Sequence, residues 1–323
     1  MNQPDYSSVS DPELDPRLCQ QARQSRDPRF DGEFFVAVKT TGIYCRPVCP
    51  ARAPAERNVH YYRSAAQAAA AGYRPCLRCR PESAPGSPAW RGSSATVSRA
   101  LRLIEEGALA DASVAELANR LGVGERYLRK LFQRELGVSP QGVALNQRLL
   151  FAKKLLAETS LPITEVAFAA GFGSVRRFNS AVREHFRLTP GQLRGRKLAP
   201  VENGLPLELH YRPPYDWAGV MDFFSRHAVA GVEAVTAEAY QRNISIDGKP
   251  ASFTVEHRPA NQALRVVLRL PDARQMLPVV ARIRRMFDLD ANPATIHSQL
   301  AKDPALAPLL ARVPGIRAPL AWS

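Results

Sequence analysis

Long apolar runs and secretion signals are both missing from this sequence. No apolar stretch approaches the roughly 20 residues that a membrane helix needs, so we expect no membrane partner. The first residues, MNQPDYSSVSDPELDPRLCQQ, contain neither the basic nor the apolar part of a signal peptide. These absences indicate a cytoplasmic protein.

Cysteine and acidic residues are scarce, and their distribution is informative. Of five cysteines in 323 residues, Cys19 stands alone and the other four form two close pairs. In a reducing compartment such pairs favour a bound metal over disulfides. The 30 acidic residues are outnumbered by 44 Lys and Arg, and the surplus is +9 in residues 91–200 but only +3 before and +2 after. A basic segment between nearly neutral ones indicates a polyanion partner, with nucleic acid as the first candidate.

Two stretches rich in Pro, Gly and Ser, Ser83–Ser94 and Leu198–Pro206, read as linkers. A chain of this length holds two or three globular units. We therefore predict a multidomain protein in which residues 1–85 form a small α+β zinc domain, residues 95–198 an all-α double helix-turn-helix, and residues 205–323 an α+β sheet-and-helix domain. In the first part we expect a strand at Gly32–Lys39, a helix at Ala65–Ala71, and the cysteine pairs on loops.

The middle part repeats one plan about 50 residues apart. An apolar-periodic helix, a glycine turn and a second helix with charged outer positions occur twice, with one helix between the two copies. The predicted ranges are Val114–Leu121, Gly122–Gly124 and Glu125–Leu136, then Ile163–Ala170, Gly171–Gly173 and Ser174–Phe186, with the joining helix near Gln141–Glu158. In the last part, strands are expected at Leu207–Tyr211, Tyr240–Ile246, Ser252–Glu256 and Ala263–Leu268, and helices at Asp216–Ser225 and Ala273–Phe287. Asp247-Gly248 is a hairpin signal, and we expect two helices on one face of the sheet.

The four paired cysteines have the spacing of a zinc site, Cys-x3-Cys at 45 and 49 and Cys-x2-Cys at 76 and 79. We expect one zinc per chain, held by Cys45, Cys49, Cys76 and Cys79. From Cys45 to Arg80 inclusive there are seven Arg and a single acid, Glu56. From the residues alone, the site either holds a small domain together or presents a reactive thiolate.

The run DGEFFVAVKTTGIYCRPVCP, with GYRPCLRCRP, closely resembles the zinc domain of Ada-type methyl-phosphotriester repair proteins. The resemblance covers about residues 15–85. It implies that Cys45 irreversibly takes a methyl group from a methylated DNA phosphate, and that Thr41, Arg52, Arg74 and Arg78 contact the DNA backbone. Methylation would change the formal charge of the centre from −2 to −1, so repulsion from DNA phosphate would fall and DNA binding would strengthen.

Residues 95–197, most clearly AGFGSVRRFNSAVREHFRLTP, resemble the AraC/XylS DNA-binding module. Two recognition helices about 34 Å apart can read successive turns of the major groove. The exposed positions that we expect to meet DNA are Glu125, Arg126, Arg129 and Lys130 in the first unit, and Ser174, Arg176, Arg177 and Asn179 in the second. Each can contact either a base or a phosphate.

Residues 205–320 resemble the N-terminal domain of AlkA-type DNA glycosylases, through LELHYRPPYDWAGVMDFFSRHAVAGVE, AYQRNISIDG and MFDLDANP. In that family a helix-hairpin-helix lobe follows and supplies the base pocket and a catalytic Asp. The chain ends at VPGIRAPLAWS, near where that lobe should begin, so we expect no glycosylase activity from this chain.

Together these features predict a single-turnover methyl acceptor that regulates the transcription of repair genes. The expected partners are alkylated and promoter double-stranded DNA and RNA polymerase, and we expect a monomer. Two alternatives stay open: an AraC-type regulator with a structural zinc, and a fragment of a bifunctional regulator and 3-methyladenine glycosylase.

Overall fold

The computed structural model describes residues 14–79, 81, 84, 95–110, 112–195 and 204–322. Contacts divide the chain into two units: Met1–Ala157 with Leu161–Gly195, and Glu158–Ser160 with Arg196–Ser323. Both α+β and helical parts are present, as the fold class predicted. The predicted division into three domains stays a prediction, and most of both predicted linkers lies outside the described residues.

The first unit begins with a four-stranded sheet and two helices. The elements are α1 Pro16–Ser25, β1 Phe35–Val38, β2 Ile43–Cys45, β3 Val59–Tyr62, α2 Ala65–Ala70 and β4 Arg74–Pro75. The strand order is β3-β1-β2-β4, with β2 parallel to β4 and the other pairs antiparallel. Side chains alternate along β1, so Phe35 and Ala37 pack with α2 while Val36 packs with Cys19 of α1. Both faces of β1 are therefore buried.

Six further helices follow among the described residues up to 195. They are α3 Ala95–Glu105, α4 Val114–Leu121, α5 Glu125–Leu136, α6 Pro140–Glu158, α7 Ile163–Ala169 and α8 Val175–Phe186. Helices α4 and α5 have the predicted bounds because local signals define them. Ser113 and Glu116 form a capping box at the start of α4, and Gly122 ends it in the left-handed conformation at φ 71°.

The second unit is built on a five-stranded antiparallel sheet of order β5-β9-β8-β7-β6. Its strands are β5 Leu205–His210, β6 Glu233–Val235, β7 Ala239–Ile246, β8 Lys249–Arg258 and β9 Ala263–Arg269. Its helices are α9 Trp217–His227, α10 Met276–Met286, α11 Pro293–Leu300 and α12 Ala307–Arg312. Tyr240, Val255, Val266 and Leu207 are paired across four adjacent strands and all are buried, so they form one continuous apolar row. The predicted Asp247-Gly248 turn has positive φ at both residues, as a type I′ hairpin requires.

The structure corrects several sequence predictions. Cys45 ends a strand rather than lying on a loop. The second predicted linker extends too far, because Leu205 and Pro206 belong to β5. Proline is tolerated there since β5 is an edge strand. The helices α1, α3, α11 and α12 and the short strands β2, β3, β4 and β6 were not predicted.

Candidate zinc centre and nucleic-acid interface

Parallel pairing of β2 with β4 brings the two cysteine pairs together. Tyr44 of β2 lies opposite Pro75 of β4, and the Cys76 backbone N–H donates to the Tyr44 carbonyl at 2.9 Å. Cys45 and Cys76 therefore leave the ends of adjacent strands side by side. Each is followed by a short turn that returns the second cysteine of its pair, Cys49 or Cys79.

The four sulfur atoms all lie within 4.8 Å of one another. A tetrahedral zinc with bonds of about 2.3 Å separates its sulfur ligands by about 3.8 Å, so the cluster is of the right size. Cys76 and Cys79 are buried, whereas Cys45 and Cys49 are partly exposed. Four soft thiolates in a tetrahedron favour zinc over hard cations, so the residues present fit this metal.

Backbone hydrogen bonds distinguish the four sulfurs. The Arg46 N–H donates to Cys79 Sγ at 3.3 Å, the Arg78 N–H donates to Cys76 Sγ at 3.4 Å, and the Ala51 N–H donates to Cys49. Within the described residues, no backbone amide donates to Cys45 Sγ. Hydrogen bonds stabilise thiolate charge and weaken the sulfur as a nucleophile. Among the described residues, Cys45 is therefore the one cysteine of the cluster whose sulfur has no backbone donor.

Hydrogen bonds among the four thiols shift their pKa values in opposite directions. Hydrogen bonds from neighbouring thiols, first that of Cys45, lower the pKa of Cys49 to about 7 and also lower the pKa of Cys76. The corresponding bonds raise the pKa of Cys45 and of Cys79. A divalent metal removes this competition because it holds all four groups as thiolates. Burial raises the pKa of the separate Cys19 to about 12, so that residue stays a thiol.

Two cationic side chains, partly buried Arg46 and buried Lys153, contact the backbone of the second cysteine pair. Arg46 Nη1 donates to the Cys79 carbonyl at 3.1 Å, and its guanidinium also pairs with buried Asp31. Lys153 Nζ donates to the Cys76 carbonyl at 2.8 Å. Sequence reasoning missed Lys153, because 77 residues separate it from Cys76 and no local pattern signals the contact.

The predicted backbone-contact residues near the centre differ in exposure. Thr41, Arg52 and Arg78 are exposed, and Arg74 is partly buried. The Thr41 hydroxyl donates to the Val38 carbonyl at 3.4 Å. Arg80, counted among the local arginines, lies outside the described residues. Their role as DNA contacts stays a prediction.

The second helix of the first helix-turn-helix unit, α5, buries Leu128, Leu131, Phe132 and Leu136. Arg126 and Lys130 are exposed as predicted, whereas Glu125 and Arg129 are only partly exposed and bond to each other at 2.6 Å. The side chain of Tyr127, which the charge pattern did not single out, is 54% exposed on the same helix.

In the second helix-turn-helix unit, Ser174 has a structural role that sequence reasoning missed. It is the N-cap of α8, and its hydroxyl accepts from the Arg177 backbone N–H at 3.3 Å. The side chains of Arg176 and Arg177 are exposed, and that of Asn179 is partly buried. Arg148 of α6 braces the preceding turn, because its Nη1 donates to the Gly171 carbonyl at 3.1 Å. Base or phosphate contacts by these residues stay predictions.

The second unit has no comparable cluster among its described residues. Asp216 caps α9 by accepting from the Gly219 N–H, Asp288 accepts from the Ala318 N–H, and Asp290 pairs with Arg284. Burial raises the pKa of Asp288. Each of these acids therefore has a structural partner. Within the described ranges, no helix is both long and apolar enough to cross a membrane.

Comparison with known proteins gives one match to each part of the chain. Residues 18–82 match the metal binding domain of Ada, residues 117–196 match a helix-turn-helix domain, and residues 206–323 match the AlkA N-terminal domain. The first match and the four-sulfur cluster together give the chain one zinc site.

Among similar proteins, the "Probable bifunctional transcriptional activator/DNA repair enzyme AlkA" of Mycobacterium tuberculosis is 42% identical over 93% of this chain and 62% of its own length. The "Bifunctional transcriptional activator/DNA repair enzyme Ada" of Escherichia coli is 34% identical over 53% of this chain and 46% of its own. The solved DNA methyl phosphotriester repair domain of E. coli Ada is 47% identical, covers 23% of this chain and 80% of that one, and has a TM-score of 0.20. The chain thus spans less than two thirds of the length of these two curated relatives. The domain matches confirm its resemblance to Ada-type zinc, helix-turn-helix and AlkA-type N-terminal domains.

Proposed function

We propose that this chain is a DNA alkylation repair and response protein. Its zinc centre accepts a methyl group from a DNA methylphosphotriester, and its two helix-turn-helix units bind promoter DNA. The observation that carries the proposal is the hydrogen-bond asymmetry of the cluster, in which Cys45 alone lacks a backbone donor among the described residues. The names of the curated relatives, which combine transcriptional activation with DNA repair, support it.

In the proposed reaction, the Cys45 sulfur attacks the methyl carbon of the phosphotriester. A sulfur–carbon bond forms as the carbon–oxygen bond breaks, and the electron pair leaves with the phosphodiester oxygen. Zinc, when bound, keeps the four cysteines deprotonated at neutral pH. The phosphodiester anion is a good leaving group, so no general acid is required. The thioether that results is stable, so each chain reacts once.

The remaining residues of the site bind and orient the DNA in this proposal. Thr41, Arg52, Arg74 and Arg78 hold the backbone near Cys45, and Cys49, Cys76 and Cys79 complete the zinc site. A methylated Cys45 lowers the formal charge of the centre from −2 to −1, which reduces repulsion from phosphates. Tighter promoter binding then allows the chain to recruit RNA polymerase as a monomer.

Uptake of labelled methyl groups tests this function. Zinc-loaded chain is incubated with duplex that carries labelled methylphosphotriesters, and with matched duplex labelled only on its bases. We expect up to one methyl per chain from the phosphotriesters and none from the bases. No uptake from the phosphotriesters would indicate instead an AraC-type regulator whose zinc is structural.

A further inference from the structure

Lys153 is a buried lysine that contacts the zinc loop from a distant helix. Lys153 is only 3% exposed, and its ammonium group donates a hydrogen bond to the Cys76 carbonyl at 2.8 Å. Lysine is almost never fully buried unless it is paired, because removing its charge from water is costly. Lys153 lies on α6, the helix that joins the two helix-turn-helix units. It therefore connects the metal site to the part of the chain that carries α5 and α8, which we call the DNA-reading helices.

Apolar contacts support the same connection on both sides. Leu150 of α6 packs against the core formed by β1, β2 and α2. In the other direction, Ala66 of α2 packs against the core of the first helix-turn-helix unit. A Cβ added at Gly137, just after α5, would lie 3.3 Å from the Gln67 amide of α2. The sheet and α2 of the zinc-binding region therefore pack against the helices of the first helix-turn-helix unit and against α6.

Charge makes this interface sensitive to metal. The two carbonyls of the second cysteine pair accept from Lys153 and from Arg46, two cationic side chains. A tetrathiolate zinc centre has a formal charge of −2, and its attraction for a buried ammonium is much stronger than it would be in water. Loss of the metal frees the loop that presents the Cys76 carbonyl to Lys153.

We propose that Lys153 is a positioning residue through which metal loading stabilises the DNA-reading helices. The zinc centre and α6 then unfold cooperatively, so loss of zinc lowers the stability of α6, the helix between the two helix-turn-helix units. The proposal rests on the proposed zinc site but does not depend on methyl transfer.

Hydrogen exchange on the full chain without DNA tests the coupling. Amide exchange in residues 140–158 is measured with zinc bound and after chelation, for the wild type, Lys153→Met and Lys153→Arg. In the wild type we expect chelation to speed exchange in α6 by about tenfold. We expect Lys153→Met to lose most of that response and to bind zinc about tenfold more weakly in chelator competition, and Lys153→Arg to retain both.

The control is Gln141→Met, which changes an exposed polar residue of the same helix and should keep the response to chelation. The inference would be overturned if chelation did not change amide exchange in wild-type α6. It would also be overturned if chelation changed exchange in Lys153→Met as much as in the wild type. If Lys153→Met fails to fold even with zinc, the inference is judged from the wild type and Lys153→Arg. Both should then show faster exchange in α6 after chelation, and no change in either would overturn it. A chain that accepts methyl but shows no coupling contradicts only this inference. One that shows coupling but accepts no methyl contradicts only the proposed function.

Discussion

At the scale of single residues, the proposed chemistry depends on a difference between chemically identical side chains. Four cysteines share one cluster, but three of them receive backbone N–H donors and Cys45 receives none from the described residues. Cys45 also stays partly exposed, whereas Cys76 and Cys79 are buried. The cysteine that we propose as the methyl acceptor is therefore also accessible to solvent.

Replacement of Cys45 tests this assignment. We expect Cys45→Ser to abolish methyl uptake, because a serine hydroxyl is a poor zinc ligand and is not ionised near neutral pH. Cys19→Ser, the matched control, should leave uptake unchanged, since Cys19 is buried outside the cluster. Measurable uptake by Cys45→Ser would show that another residue is the acceptor.

His185 predicts how the stability of the first unit depends on pH. Burial lowers its pKa to about 4, whereas the unfolded value is about 6.5. The folded imidazole thus stays neutral while the unfolded one takes up a proton. This contribution to stability is complete above pH 6.5 and falls as the pH drops towards 4, by up to about 3 kcal/mol.

The measurement is urea unfolding at pH 7 and pH 5, followed by circular dichroism, for the wild type and His185→Leu. His185→Leu leaves the four cysteines unchanged, so we expect both proteins to lose zinc to the same extent at low pH, and the difference between them then reports on the histidine. We expect the free energy of unfolding to fall less in His185→Leu. An equal fall in both would contradict the role of His185.

At the scale of elements, we predict how substitutions in α8, the second helix of the second helix-turn-helix unit, change DNA affinity. Arg176 and Arg177 are exposed on the first turn of α8, the part of a recognition helix that enters the groove. We expect Arg176→Ala and Arg177→Ala each to weaken promoter binding by about 1–3 kcal/mol where a base contact is lost, and less for a phosphate contact. Arg183→Ala, exposed further along the same helix, should change affinity little.

Titration at several salt concentrations separates the two kinds of contact. Loss of one phosphate contact should reduce the salt slope by about one, whereas loss of a base contact should leave the slope unchanged. Equal, small effects of all three substitutions would indicate that α8 does not read DNA.

Elements with strong local signals were predictable from the sequence. The bounds of α4 and α5 follow from Ser113, Gly122 and apolar periodicity. The two-residue strand β4 has no such signal, yet its pairing with β2 brings the two cysteine pairs together. The Lys153 contact was equally unpredictable, because it depends on how α6 packs in three dimensions.

At the scale of the whole chain, the second unit carries a prediction of inactivity. We expect the polypeptide of these 323 residues to release no base from duplex that contains 3-methyladenine. Glycosidic cleavage needs a pocket for the flipped base and a carboxylate beside the sugar. Asp216, Asp288 and Asp290 are instead engaged in a helix cap, a backbone hydrogen bond and an ion pair. An abasic-site assay checks this, and release that one Asp→Asn substitution abolished would reveal a catalytic site in this unit.

The central claim is that damage in DNA is recorded as one methyl group on one sulfur. Peptide mass spectrometry of zinc-loaded chain, after exposure to methylphosphotriester duplex, tests it most directly. We expect a single added methyl, on Cys45, with the other four cysteines unmodified. A methyl on Cys49, Cys76 or Cys79 with Cys45 unmodified would contradict it.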